Sequence, residues 1–477
     1  MKRLLLCTLL GAAAFGAKAS HLMGGEVTLA NIGANQYELR LTEYRDVMGI
    51  PLITPEYIDR YSYDPGTNTY TLDTTYVMDL NAALSTALIP NFPYGTEIGV
   101  YNDTINLATG QYRFVMSQCC RNAAILNMTD PGAESMLLYT DLTVDANGGN
   151  SSATFLTTPV AYFPVNDTIT FNPLPYDPDG DSLVWALNTP YGGSSMGSGF
   201  ANVVGFTAPA ADPAGPFTLN PVSGEITWIP NIVGNWVQSF IVDEYRNGVK
   251  IGSVVRDFQY VVVPDTAANN QNSPQFMVNN PNVNYNTTQG YNWMYYFAGQ
   301  PLQFEIGGTD LDAGATLELQ SFSEIFLLPN NPAMFNVVNN GNNISGMLDW
   351  TPDATYSKDV ILVFRLRDGM WSKDYTLLLT KNDNTSVGST PSSVANVMVY
   401  PNPASTTLNI AVDLAKDMTG DIAMYSAIGQ KVATLQEGKL AKGNHQFSQN
   451  INVASGMYYV VVRNGNQIVK TIPVAVK

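Results

Sequence analysis

Apolar and polar residues alternate with a period of two along much of the chain. Between Gln36 and Arg45, for example, one face of the predicted strand is apolar and the other polar. This alternation is typical of a strand with one buried face, because successive side chains of a strand point to opposite sides. No stretch has a helical period of similar length, and the 39 Gly and 28 Pro residues suit many tight turns. The pattern predicts an all-β protein.

Two hairpins are predicted from this pattern. Residues 27–29 and 36–45 form two apolar-polar strands on either side of the short polar segment 31–35. Near the end of the chain, the strand at 457–462 is followed by Asn464-Gly465, a dipeptide that favours a tight hairpin turn, and then by a second strand at 467–476.

Two central segments repeat one order of features. Each has an acidic turn, then a Gly-x-x-x-Trp-x-Pro strand, then an alternating final strand. These features lie at residues 177–183, 224–230 and 256–261 in the first copy and at 310–312, 346–352 and 373–378 in the second. Each copy has about the length of a Greek-key β-sandwich, roughly 100 residues. We predict two tandem sandwich units, residues 151–265 and 266–385.

The first residues have the pattern of a cleavable signal peptide. Lys2 and Arg3 precede the apolar run 4–15, and Ala17-Lys18-Ala19 supplies small residues at the −3 and −1 positions of a cleavage site. The run is too short to span a bilayer as an ordinary helix, and no later stretch is apolar enough. We expect residues 1–19 to be removed, Ser20 to begin the mature chain, and the protein to be exported to the periplasm in soluble form.

The charge distribution divides the chain. Its 477 residues include 23 Lys plus Arg and 40 Asp plus Glu, a formal net charge of −17, which disfavours a nucleic-acid partner because phosphate binding needs clustered cations. Residues 397–477 carry seven basic and four acidic residues, whereas residues 20–396 carry thirteen basic and thirty-six acidic ones. We therefore predict an N-terminal β domain at 20–150, a linker at 386–396 and a separate small β domain at 397–477.

The last segment contains four motifs in the order of a known domain family. They are Tyr400-Pro401-Asn402-Pro403, the block Gly429-Gln430-Lys431-Val432, the strand start Gly456-Met457-Tyr458, and the basic residue Lys470. With these motifs, residues 397–477 resemble a type IX secretion C-terminal sorting domain of type A. The resemblance implies that the type IX machinery carries the folded protein across the outer membrane and that a surface sortase removes this domain. The mature protein is then released or attached to the cell surface.

The N-terminal and central segments show two further resemblances. Residues 20–27, 41–46 and 119–122 are similar to the opening domain of gliding-motility-associated surface proteins. Similar proteins have a cysteine where this chain has Val47, so the pairing of Cys119 and Cys120 stays open between a mutual ring, a bridge to another chain and free thiols. The two central units resemble cadherin-like or immunoglobulin-like repeats through Asp-x-Asp-Gly-Asp-x-Leu and Gly-x-x-x-Trp-x-Pro, which implies fold more than function.

Asp177, Asp179 and Asp181 are the candidate metal ligands. Carboxylates at every second position of an extended turn can converge on Ca²⁺, which takes several oxygen ligands. A solvated acidic turn is the alternative interpretation, and the second repeat retains only Asp310 and Asp312. Bound Ca²⁺ would neutralise part of the negative charge and stiffen the joint between the repeats. The sequence indicates no cofactor that the protein requires. Ca²⁺ is the ion that it could bind.

Aromatic residues and histidines are the other candidates. Trp228 and Trp350 occupy equivalent strand positions, which favours a role in the core over a sugar-stacking platform. The cluster that opens the second repeat is expected to form a strand with one buried face, although exposed members would suit a carbohydrate or protein ligand. This cluster comprises Trp293, Tyr295, Tyr296 and Phe297. His21 and His445 have no triad partners nearby in the sequence.

These observations favour a non-enzymatic exported protein, at the cell surface or secreted, with a structural or adhesin-like role. Its expected partners are the type IX secretion machinery, the sortase and a surface ligand, either protein or glycan, with no nucleic acid and no transmembrane segment. A carbohydrate-binding surface protein is the first alternative. A secreted hydrolase is the second, because carboxylate pairs for glycoside hydrolysis leave no local signature.

Overall fold

A computed structural model describes residues 22–33, 35–47, 49–87, 95–145, 149–193, 201–264, 272–312, 314–369, 371–382, 394–426, 430–465 and 467–477. The predicted signal peptide lies outside them. The chain forms two compact units, Met1–Asp383 and Asn384–Lys477. The described elements are β-strands apart from the single-turn 3-10 helices Pro131–Ala133 and Glu324–Phe326. The prediction of an all-β, multidomain string of sandwich units is confirmed.

Residues 22–144 form the first eight strands. They are β1 (Leu22–Gly33), β2 (Gln36–Asp46), β3 (Glu56–Asp64), β4 (Thr69–Met78), β5 (Thr86–Ala87), β6 (Thr96–Asn106), β7 (Gly110–Cys119) and β8 (Ser135–Val144). β1 and β2 make the predicted hairpin, in which Val27 faces Leu41 and Leu29 faces Leu39. Tyr37, Leu39 and Leu41 are buried and the intervening polar residues half-buried, as the alternation predicts.

Residues 154–263 form the next eleven strands. They are β9 (Thr154–Phe155), β10 (Tyr162–Pro164), β11 (Ile169–Phe171), β12 (Pro175–Tyr176), β13 (Ser182–Asn188), β14 (Tyr191–Gly192), β15 (Ala201–Asn202), β16 (Thr218–Leu219), β17 (Ile226–Trp228), β18 (Gly234–Arg246) and β19 (Val249–Val263). An aromatic core lies among them, in which Trp228 is fully buried and contacts Phe163, Phe217 and Tyr260 edge-on. The core assignment of Trp228 is confirmed.

The long strand β19 joins the first two predicted domains in one sheet. It pairs with β18, with β8 and with β1, where Gly24 faces Phe258. The described part of this sheet has 14 strands, taken from both sides of residue 150. At Gly24 a Cβ atom would lie 2.1 Å from the carbonyl oxygen of Asp257, so only glycine permits this approach. The expected division between residues 20–150 and 151–265 therefore falls inside a single sheet.

Two buried ion pairs reinforce this junction. Arg256 Nε lies 3.0 Å from Glu26 Oε2, and Tyr44 donates its hydroxyl hydrogen to Glu26 Oε1 at 2.8 Å. Arg121 donates to both carboxylate oxygens of Asp257 at 3.0 and 2.8 Å. Each pair joins one residue before position 150 to one after it. Buried charges are stable only when they are paired in this way, so the two segments depend on each other.

Residues 275–381 form a sandwich of two sheets. Its strands are β20 (Gln275–Met277), β21 (Asn284–Asn286), β22 (Tyr291–Tyr296), β23 (Leu302–Thr309), β24 (Leu317–Phe322), β25 (Met334–Asn339), β26 (Asn343–Trp350), β27 (Val360–Asp368) and β28 (Trp371–Lys381). The sheet orders are β20-β23-β26-β25 and β21-β22-β28-β27-β24. Trp350 is buried in the core between them, as predicted from its position in the repeat.

The second compact unit is a smaller sandwich. Its strands are β29 (Val394–Tyr400), β30 (Thr407–Leu414), β31 (Met418–Ser426), β32 (Lys431–Leu440), β33 (Gly443–Asn450), β34 (Gly456–Asn464) and β35 (Gln467–Val476). They form the sheets β29-β30-β33 and β32-β31-β34-β35 around one apolar core. β34 and β35 are the predicted final hairpin, and Gly465 in its turn has a φ of +59°.

Candidate functional sites

The acidic turn of the first repeat follows β12 and is organised by Asp177. Its Oδ1 accepts hydrogen bonds from the backbone N–H groups of Asp179 and Asp181, both at 2.9 Å. Gly180 has a φ of +83°, which glycine adopts without steric cost. A short side-chain-to-backbone turn of this kind forms locally, before any distant contact is needed.

Two of the three predicted ligands come together at this turn. Carboxylate oxygens of Asp177, Asp181 and Glu244 lie within 4.8 Å of one another, and we call these residues the first acidic cluster. Asp179 is not a member, because its Oδ2 accepts the backbone N–H of Ser151 at 2.6 Å. Glu244, on β18, was missed from the sequence, because a ligand supplied by a distant strand leaves no local spacing.

An arginine contacts the first acidic cluster. Arg246 Nε donates to Asp181 Oδ1 at 2.9 Å, so a guanidinium already compensates one of the three carboxylates. Burial raises the pKa of Glu244 to about 8, while the hydrogen bond from Asn150 opposes the shift. Asp177 Oδ2 and Glu244 Oε2 are buried and have no hydrogen-bond partner among the described residues. Two oxygens therefore stay open to a donor or a cation.

The second repeat contains an equivalent cluster. Asp310 follows β23, Asp312 lies two residues later and Asp368 ends β27, and carboxylate oxygens of the three lie within 4.8 Å of one another. We call them the second acidic cluster. Asp368 corresponds to Glu244 of the first repeat, because each lies near the end of the strand that leads into the last hairpin of its repeat. The sequence predicted Asp310 and Asp312 but not Asp368.

Backbone and amide groups supply the hydrogen bonds of the second acidic cluster. Asp310 Oδ1 accepts the N–H of Asp312 at 2.7 Å, and Asp312 accepts two hydrogen bonds from Asn272. Asp310 is 4% exposed, and its Oδ2 has no hydrogen-bond partner in the described part of the chain. Burial raises the pKa of Asp310, and the charges of Asp368 and Asp312 raise it further. A hard divalent cation would relieve this repulsion and fits an all-oxygen donor set.

The aromatic cluster of the second repeat has one buried face, as predicted. Met294 and Tyr296 point into the core, whereas Tyr295 is 40% exposed. Trp293 is half-buried and contacts Tyr295 edge-on, with ring centroids 4.9 Å apart. Phe297, just after the strand, is also exposed. The outer face of β22 therefore presents a pair of aromatic rings.

Two cysteines and one histidine lie among the described residues. Cys119 and Cys120 are joined to each other by a disulfide. Of the three alternatives left open by the sequence, this is the ring closed between the two adjacent cysteines. His445 has Nε2 2.6 Å from the carbonyl oxygen of Ala441 and stacks on Phe447. His21 lies outside the described residues.

The motif Tyr400-Pro401-Asn402-Pro403 is hydrogen-bonded to the last strand, β35. Asn402 Nδ2 donates to the carbonyl oxygen of Pro473 at 3.1 Å, and Asn402 Oδ1 accepts the N–H of Ala475 at 2.9 Å. Ala404 continues the contact through its own N–H, which donates to Ala475 O at 2.8 Å. Asn402 thus closes the sandwich by linking its first and last strands, while Tyr400 stays 43% exposed.

The other motif residues occupy both the core and the surface. Tyr458 packs against the core and donates its hydroxyl hydrogen to Ala454 O at 2.8 Å. Gly456 begins β34, and Lys470 is exposed on β35 opposite Val462. Gly429 lies outside the described residues. Asn402 and Tyr458 are structural in this arrangement, and Lys470 is available to a partner.

Residues 398–475 match the family model described as "Secretion system C-terminal sorting domain". The predicted type IX sorting domain at the C-terminus is confirmed by this match. The chain is thus a secreted or cell-surface protein whose export involves the type IX machinery. No curated protein matches the chain. Among the described residues, no helix is long and apolar enough to cross a membrane.

Several solved structures are similar to parts of the chain. An E-to-A variant of a three-domain immunoglobulin fragment of titin is 11% identical, covers 68% of this chain with 97% of its own, and gives a TM-score of 0.16. Domains 3–5 of the extracellular part of Drosophila OTK are 9% identical, cover 68% of this chain with 96% of their own, and give a TM-score of 0.15. An endo-fucoidan hydrolase of glycoside hydrolase family 107 is 14% identical, covers 70% of this chain with 43% of its own, and gives a TM-score of 0.16. At these TM-scores, the likenesses say nothing about what this chain binds or does.

Proposed function

We propose that this protein is a non-enzymatic exported protein with a structural, adhesin-like role, made as a precursor with a cleavable signal peptide and delivered outside the cell by its C-terminal sorting domain. The observation that carries the structural role is the contact between residues 151–263 and 272–382, which we call the seam. A protein that bears load or presents a binding surface needs joints that do not bend freely.

Buried and partly buried polar contacts run across the seam. Asp374 accepts the backbone N–H of Asn172 at 2.9 Å, and Arg365 donates to the carbonyl oxygen of Thr158 at 2.7 Å. Thr170 donates its hydroxyl hydrogen to the carbonyl oxygen of Asp374 at 2.7 Å. The bond between Asn172 and Asp374 is buried and the other two are partly buried. Separating the two repeats would leave these groups without their partners, at a cost of up to about 1–3 kcal/mol for a fully buried group.

An apolar contact accompanies these polar ones. Trp371, the first residue of β28, is 1% exposed and belongs to the core cluster built around Trp228 of the first repeat. Lys373 forms an ion pair with Asp167 at 3.0 Å on the same side of β28. The second repeat thus contributes a side chain to the core of the first, which supports a rigid joint over a flexible linker.

The proposal includes a Ca²⁺ ion in each acidic cluster, with the second cluster favoured. In the first cluster, Arg246 already supplies a positive charge to Asp181. In the second, the hydrogen bonds to Asp310 and Asp312 come from uncharged N–H groups, so the negative charge of these two carboxylates is less compensated than that of Asp181. Bound Ca²⁺ would be held by Asp310, Asp312 and Asp368 and would tie the end of β23 to the end of β27.

A carbohydrate-binding surface protein is the second candidate. The Trp293–Tyr295 pair on the outer face of β22 supports it, because aromatic rings at a protein surface suit the apolar faces of sugars. The exposed amide side chain of Gln289 lies on the neighbouring turn, where its Oε1 accepts from Asn286 Nδ2, and its NH₂ group can donate to hydroxyl groups.

A binding experiment separates these roles. The purified chain 20–477 would be tested on immobilised polysaccharides and on immobilised extracellular-matrix and outer-membrane proteins. The structural, adhesin-like role predicts saturable binding to a protein surface that persists in Trp293→Ala. Binding to a polysaccharide that is lost in Trp293→Ala but kept in Tyr57→Ala, another exposed aromatic, would support the second candidate. Turnover of an offered polysaccharide or peptide would overturn the non-enzymatic proposal.

A further inference from the structure

Strand β25 lies at one edge of its sheet and carries exposed apolar side chains. It ends the sheet order β20-β23-β26-β25, so β26 is the one described strand that pairs with it. Met334 and Val338 are 62% and 57% exposed, and Val337 is 41% exposed. In an edge strand, alternate residues direct their backbone N–H and C=O groups away from the sheet, where another strand can bind them.

This edge has none of the features that usually prevent strand pairing. β25 contains no charged residue and no proline, and its register against β26 runs from Met334–Asp349 to Asn339–Ile344 without a bulge. Edge strands of natural proteins are commonly protected by lysine, proline, a bulge or an inward-pointing charge. A straight, uncharged and partly apolar edge is therefore a template for a further strand.

The sandwich holds β25 in place. The ring of Phe335 packs against Phe364, with centroids 5.5 Å apart, and lies over Gly346, where a Cβ atom would be 2.2 Å from Phe335 Cζ. Asn339 Nδ2 donates to the carbonyl oxygen of Leu317 at 2.8 Å. Because the edge is already ordered, a partner strand does not have to supply that ordering free energy.

The charge distribution indicates which partner can approach this edge. Residues 20–396 carry thirteen basic and thirty-six acidic residues, whereas residues 325–348, which include β25 and most of β26, contain no charged residue. Two copies of so acidic a chain repel each other. At β25 no charge of the strand itself opposes a second copy, and burial of the exposed apolar side chains favours the contact.

We propose that β25 pairs with β25 of a second copy of the chain, in antiparallel orientation about a two-fold axis at Asn336. This register places Met334 opposite Val338 of the second copy, and Phe335 opposite Val337 of the second copy. Each apolar residue of β25 then faces an apolar residue, which stabilises a strand pair. A register centred on Phe335 would set Met334 against Asn336, and one centred on Val337 would set Val338 against Asn336.

The consequence is a bivalent protein. The two copies share one sheet of eight strands, four from each, and every binding surface of the chain is present twice. Two linked binding surfaces raise the avidity for a ligand without any new contact to it. This inference goes beyond the adhesin-like role and is independent of it, because pairing is measured on the purified chain without a ligand.

Sedimentation of the purified chain 20–477 over a range of protein concentrations tests the pairing. We expect monomers and dimers and no larger species, because a two-fold contact uses the same edge of both copies. Val338→Lys should abolish the dimer, since it places a charge within the strand pair. Val184→Lys is the matched control and should leave the dimer unchanged. Val184 lies on β13, which pairs with β18 alone among the described strands, and is also 57% exposed.

Cysteine substitutions test the register. Residues directly opposite each other in an antiparallel pair have Cα atoms about 4.5–5.5 Å apart, within the span of a disulfide. Asn336→Cys should therefore give a disulfide-linked dimer in air. Met334→Cys should not, because its equivalent in the second copy lies four residues further along the strand, about 13 Å away. The native chain, whose Cys119 and Cys120 are joined to each other, is the baseline.

Several results would overturn the proposal. A native chain that stays monomeric at every concentration would do so, as would assemblies that grow beyond two copies. A dimer that survives Val338→Lys, or one that is lost in Val184→Lys, would assign the contact to another surface. Met334→Lys replaces Val338→Lys in this comparison if circular dichroism shows that the latter is unfolded. Equal crosslinking of Asn336→Cys and Met334→Cys would contradict the register.

Discussion

Arg365 and Asp374 face each other on strands β27 and β28 and form two parallel hydrogen bonds of 2.8 Å, Nε to Oδ1 and Nη2 to Oδ2. Their side chains are 2% and 0% exposed. Asp374 also accepts the backbone N–H of Asn172 from the preceding repeat. The same carboxylate therefore satisfies an arginine within its own sandwich and an amide in the neighbouring one, so the seam depends on both members of the pair.

Replacing Arg365 by methionine should strongly destabilise the chain. The substitution leaves the Asp374 carboxylate buried without its cation, and breaking a buried pair in this way costs about 3–5 kcal/mol. The measurement is chemical unfolding of the chain 20–477. In the matched control Arg40→Met, the arginine belongs to a partly exposed pair with Glu38, and the expected cost is about 0–1 kcal/mol. Equal effects of the two substitutions would contradict a seam held by this pair.

Ca²⁺ should raise the Tm of the mature chain, and Asp310→Asn should remove most of the rise. A ligand present at 100 times its dissociation constant stabilises the folded state by about 2.7 kcal/mol. Asp177→Asn should have the smaller effect, because Arg246 already compensates the first acidic cluster. Asp103→Asn, an exposed aspartate on β6, is the control. A Ca²⁺ response that survives Asp310→Asn but is lost in Asp177→Asn would reverse the assignment, and no response at all would favour solvated acidic turns.

Glu225 should make the seam sensitive to pH. Burial raises the pKa of Glu225 to about 7, and the hydrogen bonds from Thr376 oppose the shift. Below the ordinary glutamate pKa of about 4.3, this side chain is protonated in both the folded and the unfolded state. As the pH rises, the unfolded state loses its proton first, so the stabilisation is lost progressively up to about pH 7.

The variant Glu225→Gln tests this dependence, because glutamine keeps the acceptor for the Thr376 N–H. Relative to the native chain, the variant should gain free energy of unfolding between pH 5 and pH 7.5 in urea titrations. Glu305→Gln, an exposed residue of β23, should show no such gain. A difference between Glu225→Gln and the native chain that is the same at both pH values would refute the prediction.

Local patterns explain what could be predicted from the sequence. The hairpins around Gly33 and Gly465 follow from alternation and turn residues that lie within about twenty positions, and both are present. The buried positions of Trp228 and Trp350 follow from their repetition at one place in a strand. The acidic turn at Asp177 also forms locally, through hydrogen bonds to the next few backbone N–H groups.

Contacts between distant segments explain what could not be predicted. The pairing of β19 with β1 requires a close approach at Gly24, and nothing in the spacing of either segment indicates the partner. The acidic clusters are completed by Glu244 and Asp368, which reach the turns from later strands. Asp179 has the predicted spacing, but its carboxylate accepts a hydrogen bond from the backbone N–H of Ser151 and does not join the cluster. Register and ligand sets of this kind are tertiary properties.

Asn402 should be needed for a stable sorting domain. Asn402→Ala removes the hydrogen bonds to Pro473 O and from the Ala475 N–H, and each such bond contributes about 0.5–1.5 kcal/mol. We expect a lower unfolding temperature for this sandwich and less protein outside the cell. Asn444→Ala, at an exposed position of β33, should leave both unchanged. Full secretion of Asn402→Ala with unaltered stability would contradict the structural role of the motif.

Export through the sorting domain is tested most directly by comparing the full chain with a version that ends at residue 393, both made in a host that has a type IX secretion system. We expect the full chain to be found outside the cell without its last 80 or so residues, beginning at Ser20, and the shortened chain to stay in the periplasm. Equal export of both versions, or retention of both, would contradict this expectation. Residues 397–477 would then be an ordinary β domain.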